Sequence, residues 1–127
     1  MAKRSGYHHV ALRARDLHKT IAFYEALGCT VVRKWGEGDK EVCMMDAGGG
    51  NIVEIFAGGG TEMESFPHFE HIALRSDDVD GDYQDALAGG AREKDQPKDV
   101  NIGGFYPVRI AFVFGLNDEL IEFFHEY

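Results

Sequence analysis

Long apolar runs are missing from this 127-residue chain. None approaches the roughly 20 residues that cross a bilayer as a helix. Basic residues are few as well: 13 Lys and Arg stand against 22 Asp and Glu, for a net charge of −9. That balance offers no broad cationic surface for nucleic-acid phosphates or anionic lipid, so neither is an expected partner. Only two cysteines occur, Cys29 and Cys43, without the spacing of a metal knuckle or a redox pair. No apolar core follows Lys3 and Arg4, so the start does not read as a secretory signal. Two thiols without a signal predict a reducing, cytoplasmic setting.

What is present is the composition of a soluble globular protein, 44% hydrophobic and 28% charged, at the length of one domain. Acidic residues cluster at Asp77, Asp78, Asp80, Asp82 and Asp85. They lack the spacing of a calcium loop and read as a solvated helix start, where negative charge complements the helix dipole.

The chain repeats itself. His9-Val10-Ala11-Leu12-Arg13 returns 62 residues later as His71-Ile72-Ala73-Leu74-Arg75. The offset holds without a gap as far as Gly28 and Gly90. Asn51-Ile52-Val53-Glu54-Ile55-Phe56 returns as Glu119-Leu120-Ile121-Glu122-Phe123-Phe124, now 68 residues on. The second copy therefore carries six extra residues, expected around Asn101–Pro107. Each half opens on a strand bearing His and closes on a strand bearing a lone Glu.

Each half reads β-α-β-β-β. In the first, strands are expected near 7–13, 29–35, 40–46 and 51–57. A helix with an apolar stripe at Leu17, Ile21, Tyr24 and Leu27 starts at the cap Asp16 and stops at Gly28. The second half predicts strands near 69–75, 91–95, 108–115 and 119–126, with a helix near 79–88 that Gly81 weakens. The modules are 6–57 and 68–127, joined by a linker at 58–67. The fold class is α+β, two tandem βαβββ modules forming a curled mixed sheet.

Glu54 interrupts an apolar strand, and an ionised carboxylate is rarely buried without a partner. It shares a face with Ile52 and Phe56, while Val53 and Ile55 turn toward the helix. Glu122 likewise shares a face with Leu120 and Phe124. In the opening strands Val10, Leu12, Ile72 and Leu74 are the helix-facing set. That leaves His9, His71, Glu54 and Glu122 on the face away from the helices. His8 falls on the helix-packing face, and Glu70 takes its place in the repeat. Two imidazoles and two carboxylates suit a first-row divalent metal. The alternative is an ion-pair network with Arg13, Arg75 or Arg109. Trp35, Met44, Phe105, Tyr106 and Phe112 could wall a pocket or fill the core.

At these residues the chain resembles the vicinal oxygen chelate superfamily, also called the glyoxalase/bleomycin resistance/dioxygenase superfamily. YHHVALRARDLHKTIAFYEALG looks like the family's first module, and FEHIALRSDD like the start of its second. NIVEIF and ELIEFF are similar to its ligand-bearing strands. The His-Glu-His-Glu order resembles glyoxalase I (lactoylglutathione lyase). This resemblance implies metal ligands His9, Glu54, His71 and Glu122, with two waters completing an octahedron around nickel, cobalt, zinc or manganese, nickel being favoured. It implies a lyase or isomerase that turns a carbonyl–thiol adduct, a hemithioacetal, into a hydroxyacyl thioester through an enediolate. Glu122 would be the catalytic base and Glu54 its counterpart, with Arg13 and Arg75 as substrate-binding residues. Arg13 alternatively bridges Glu41 or Glu54. A homodimer is expected. The same fold also serves methylmalonyl-CoA epimerases, where Gln commonly replaces the first Glu, and non-catalytic resistance proteins. The turn Phe114-Gly115-Leu116-Asn117-Asp118-Glu119 departs from the family's usual last hairpin.

Overall fold

β-Branched and aromatic residues at alternate positions build eight strands, and two amphipathic stretches build the helices. The computed structural model describes residues 4–26, 28–59, 69–116 and 119–127. Its elements run β1 (Arg4–Arg13), α1 (Leu17–Ala26), β2 (Thr30–Trp35), β3 (Val42–Asp46) and β4 (Ile52–Phe56). They then repeat as β5 (Phe69–Ser76), α2 (Val79–Ala88), β6 (Arg92–Ile102), β7 (Tyr106–Phe114) and β8 (Leu120–Glu126). Each half is thus βαβββ, as expected. Among the described residues, no helix is long and apolar enough to cross a membrane.

Two compact units are distinguished. Of the described residues, one comprises 9–59 with 69–70, the other 4–8 with 71–127. The break falls inside β1 and inside β5, so the heads of these two strands belong with the other half of the sequence.

In the first unit the strand order is β2-β3-β4-β1. β1 and β4 run parallel and the other neighbours antiparallel. Leu17 and Ile21 of α1 bury against Cys43, Met45 and Ile55. Burying such side chains contributes about 1.5–3 kcal/mol each relative to exposure. Asp16 caps α1, its Oδ1 accepting from the Lys19 N–H at 3.0 Å. Gly28, at φ 98°, takes the left-handed turn that ends it. Leu27 and residues 60–67 of the expected linker lie outside the described residues.

The second unit has the order β5-β8-β7-β6, with β5 and β8 parallel. Val79 and Tyr83 of α2 pack on Ala111, Val113 and Phe123. Asp78 caps this helix by accepting from the Gly81 N–H at 2.9 Å. The acidic cluster is not simply solvated. Asp82 is buried, and Ser76 Oγ donates to its Oδ2 at 2.5 Å. Asp80 pairs in fork geometry with Arg109, with both bonds at 2.8 Å.

One strand differs from expectation. β6 runs to Ile102 rather than ending near 95, and the turn before β7 is confined to 103–105. The extra residues of the second copy therefore lengthen a hairpin instead of forming a loop. Charges and Pro97 mask this strand, yet both are tolerated because β6 is an edge.

Candidate metal centre

The parallel pairing of β1 and β4 sets Ala11 directly opposite Glu54. His9, two residues before Ala11, shares that face because side chains alternate along a strand. His9 Nε2 lies 3.2 Å from Glu54 Oε1. Both residues are buried, at 1% and 5% exposure. Within the first unit, Glu54 therefore faces the imidazole of His9.

The second unit repeats this construction. Ala73 stands opposite Glu122 across the parallel β5–β8 pair. His71 Nε2 lies 3.1 Å from Glu122 Oε1, with the two residues 7% and 4% exposed. On their other sides, Glu54 is opposite Met44 of β3 and Glu122 opposite Phe112 of β7. Each carboxylate thus sits between a small residue and a large apolar one.

The donor set fits a divalent cation. Nitrogen and oxygen ligands at about 2.1 Å, held at right angles on one ion, are roughly 3 Å apart. Each His–Glu pair shows that spacing. The same spacing serves a hydrogen bond in which Nε2–H donates to the carboxylate. Metal binding would replace that proton, because a ligating imidazole nitrogen must be bare.

Arg13 and Arg75 sit four residues after the histidines but have different partners. Arg13 donates to Glu70 Oε2 and to the Ala57 carbonyl, both at 3.0 Å, and its guanidinium lies 5.4 Å from the Phe56 ring centroid. In these bonds its partners are Glu70 and Ala57, not Glu41 or Glu54. Glu41 instead meets His18 Nε2 at 3.0 Å and Lys34 Nζ at 3.3 Å. Arg75 Nη1 donates to Glu126 Oε1 at 3.2 Å.

His8 corrects an expectation. It does not pack toward a helix but lies buried in the second unit, its ring centroid 4.0 Å from that of Phe124. Its Nε2 is 3.1 Å from Glu126 Oε1 and 3.2 Å from the Tyr106 hydroxyl. Tyr106 in turn donates to Glu126 Oε2 at 2.5 Å. This network was not apparent in the sequence, since His8 and Glu126 lie outside the repeated ligand pairs. Tyr106 belongs to this network, whereas Phe105 is largely exposed and Trp35 half-buried.

Phe112 reaches one of the candidate ligands. Its ring meets His71 edge-on, at 5.4 Å between centroids and 89° between planes. Lys94 Nζ lies 5.7 Å over the Phe112 ring, and Arg92 lies 5.0 Å over Phe114. The cysteines stand apart from this chemistry: burial pushes the Cys43 thiol up to about 11.

A family model described as the Glyoxalase/Bleomycin resistance protein/Dioxygenase superfamily matches residues 6–123. The chain is 29% identical to the uncharacterized protein YwbC of Bacillus subtilis (strain 168), over 98% of each chain. Methylmalonyl-CoA epimerase from Mycobacterium tuberculosis superposes with a TM-score of 0.77 at 19% identity, covering 98% of this chain and 89% of that one. The Mn(II)-bound glyoxalase from Novosphingobium aromaticivorans gives 0.74 at 18% identity, covering 98% of this chain but only 40% of that one. At such identities the two structural likenesses speak for the fold.

Proposed function

The chain belongs to the Glyoxalase/Bleomycin resistance protein/Dioxygenase superfamily, and from that premise we propose a metal-dependent lyase or isomerase of the glyoxalase I type. The observation that carries this reading is the duplicated, buried His–Glu pair on equivalent strands. His9, Glu54, His71 and Glu122 together would hold one divalent metal ion, with nickel first among nickel, cobalt, zinc and manganese. Two carboxylates neutralise a divalent charge, and two imidazoles supply nitrogen donors. When bound, the ion stabilises negative charge developing on a substrate oxygen as a Lewis acid.

The chain's own residues do the rest. Glu122 takes the proton from the carbon beside the carbonyl and returns it to the neighbouring carbon. Glu54 faces the substrate from the first module. Arg13 and Arg75 anchor negative groups of the substrate while their contacts with Glu70 and Glu126 hold them in place. A hemithioacetal becomes a hydroxyacyl thioester with no net loss of atoms. The reading includes a homodimer in the cytoplasm, with which the free thiols Cys29 and Cys43 accord.

Metal content per chain, on protein made without a histidine tag, tests this directly. Near-stoichiometric metal in the wild type and its loss in Glu54→Gln is the expected result. Turnover of a methylglyoxal hemithioacetal by the loaded protein completes the test. Absence of metal after incubation with nickel, cobalt and zinc would sink the reading. Metal without hemithioacetal turnover, together with hydrogen exchange beside the thioester of methylmalonyl-CoA, would replace it with an epimerase.

A further inference from the structure

We propose that His8, Tyr106 and Glu126 form a second metal site, one for ferric iron, distinct from the His9, Glu54, His71 and Glu122 set. The inference does not depend on the function proposed above. Three donor atoms from three strands converge within the second unit. His8 Nε2 of β1 lies 3.1 Å from Glu126 Oε1 of β8 and 3.2 Å from the Tyr106 hydroxyl of β7. Tyr106 closes the triangle on Glu126 Oε2 at 2.5 Å. Ligand atoms held at right angles on one ion, each at about 2.1 Å, are roughly 3 Å apart, so the triangle has the size of one face of a coordination octahedron.

Protons alone serve this triangle poorly. The phenol hydroxyl has one proton and the imidazole Nε2 at most one, for three contacts. Tyr106 gives its proton to Glu126, which leaves the two contacts of Nε2 to share a single one. A cation at the centre of the triangle meets lone pairs of all three atoms at once. The phenol selects the ion. It keeps its proton up to about pH 10, so it becomes a ligand only to an ion of high charge density. Ferric iron is such an ion, and iron accepts an imidazole beside the two oxygens.

The surroundings hold the three groups in place. His8 and Tyr106 are buried, and the ring of Phe124 walls both, at 4.0 and 6.0 Å between centroids. Arg75 Nη1 donates to Glu126 Oε1 at 3.2 Å, the kind of outer hydrogen bond that orients a metal-binding carboxylate. Glu126 is half-buried and borders a cavity of about 250 Å³ lined also by Arg75, Ser76, Asp77 and His125. That cavity gives the ion an entry path and room for water on its open side. An ion bound there ties the head of β1 to β7 and β8.

Absorbance titration of the full chain with ferric citrate tests this. Phenolate on ferric iron gives a visible charge-transfer band, which imidazole and carboxylate ligands alone do not. Wild type should develop the band and saturate at about one ferric ion per chain. Tyr106→Phe should abolish it. His8→Gln and Glu126→Gln, which keep the phenol, should each bind the ion at least about tenfold more weakly. Glu54→Gln should keep the band, because that carboxylate belongs to the other set. No band in wild type, a band that survives Tyr106→Phe, or a band lost in Glu54→Gln would overturn the site. So would unchanged ferric affinity in both His8→Gln and Glu126→Gln. Far-UV circular dichroism checks that each variant is folded; if Tyr106→Phe is not, the affinities of the other two decide the matter.

Discussion

Ala11 is the direct strand partner of Glu54, as Ala73 is of Glu122. Both alanines are completely buried. A residue with only a Cβ leaves the imidazole two positions earlier room to meet the carboxylate.

Enlarging Ala11 should therefore close the first half of the site. Ala11→Leu is expected to cost about 1–3 kcal/mol through overpacking. Its nickel affinity should fall more than tenfold. Urea denaturation and competition with a chelator measure the two effects separately. Unchanged affinity would mean that the small residue serves packing alone.

Tyr106 fixes the Glu126 carboxylate from inside the second unit. Tyr106→Phe keeps the ring and removes the donor. It should destabilise the fold by about 1–2 kcal/mol, the range for leaving a part-buried acceptor short of a bond. Denaturant unfolding reads this, and nickel content should not change.

Arg109 joins Asp80 of α2 to Asp99 of β6, and Asp99 also accepts from the Tyr127 hydroxyl at 2.6 Å. The Arg109 hydrogen bond lowers the Asp80 pKa; for Asp99 the Tyr127 hydroxyl acts first and Arg109 second. Carboxylates with lowered folded pKa values contribute stability above their unfolded pKa, near 4, and lose it as pH falls through the folded value. Arg109→Met should thus be less stable than wild type at neutral pH, with the gap closing below about pH 4. Thermal unfolding across that range checks the sign; a gap that widens in acid would refute it.

Thiol labelling should distinguish the two cysteines. Cys29 is partly exposed, whereas Cys43 is fully buried with its pKa raised to about 11. At pH 8, Ellman's reagent should modify one thiol per native chain. Cys43 should react only on unfolding or as the pH nears its raised value. Rapid release of two equivalents from native protein would contradict the burial.

Much of this was legible because the chain writes the same instructions twice. The His-x-Ala-x-Arg strand and the lone Glu strand each appear at matching places, so the faces of His9, Glu54, His71 and Glu122 followed from period-2 alternation. α2 was expected near 79–88 and runs Val79–Ala88. β6 was not bounded correctly, because its charges, Pro97 and bulge describe an edge strand, and edge strands lack the apolar alternation that announces buried ones. His8 was misassigned for a related reason. Alternation within β1 describes its neighbours well, but the head of the strand is placed by Tyr106, Phe124 and Glu126, about a hundred residues away in sequence.

The break inside β1 also bears on the order in which the chain can fold during synthesis. The unit that contains 9–59 and 69–70 uses an unbroken span of sequence and has all its residues once position 70 has left the ribosome. The other unit joins residues 4–8 to a stretch ending at Tyr127. Residues 4–8 are made before the whole of the first unit and must wait for partners made after it. Domains made in sequence order tend to fold as they emerge. Here the head of β1 is left exposed until its partners Tyr106, Phe124 and Glu126 are made, and the His71–Glu122 half of the site is the later one to form.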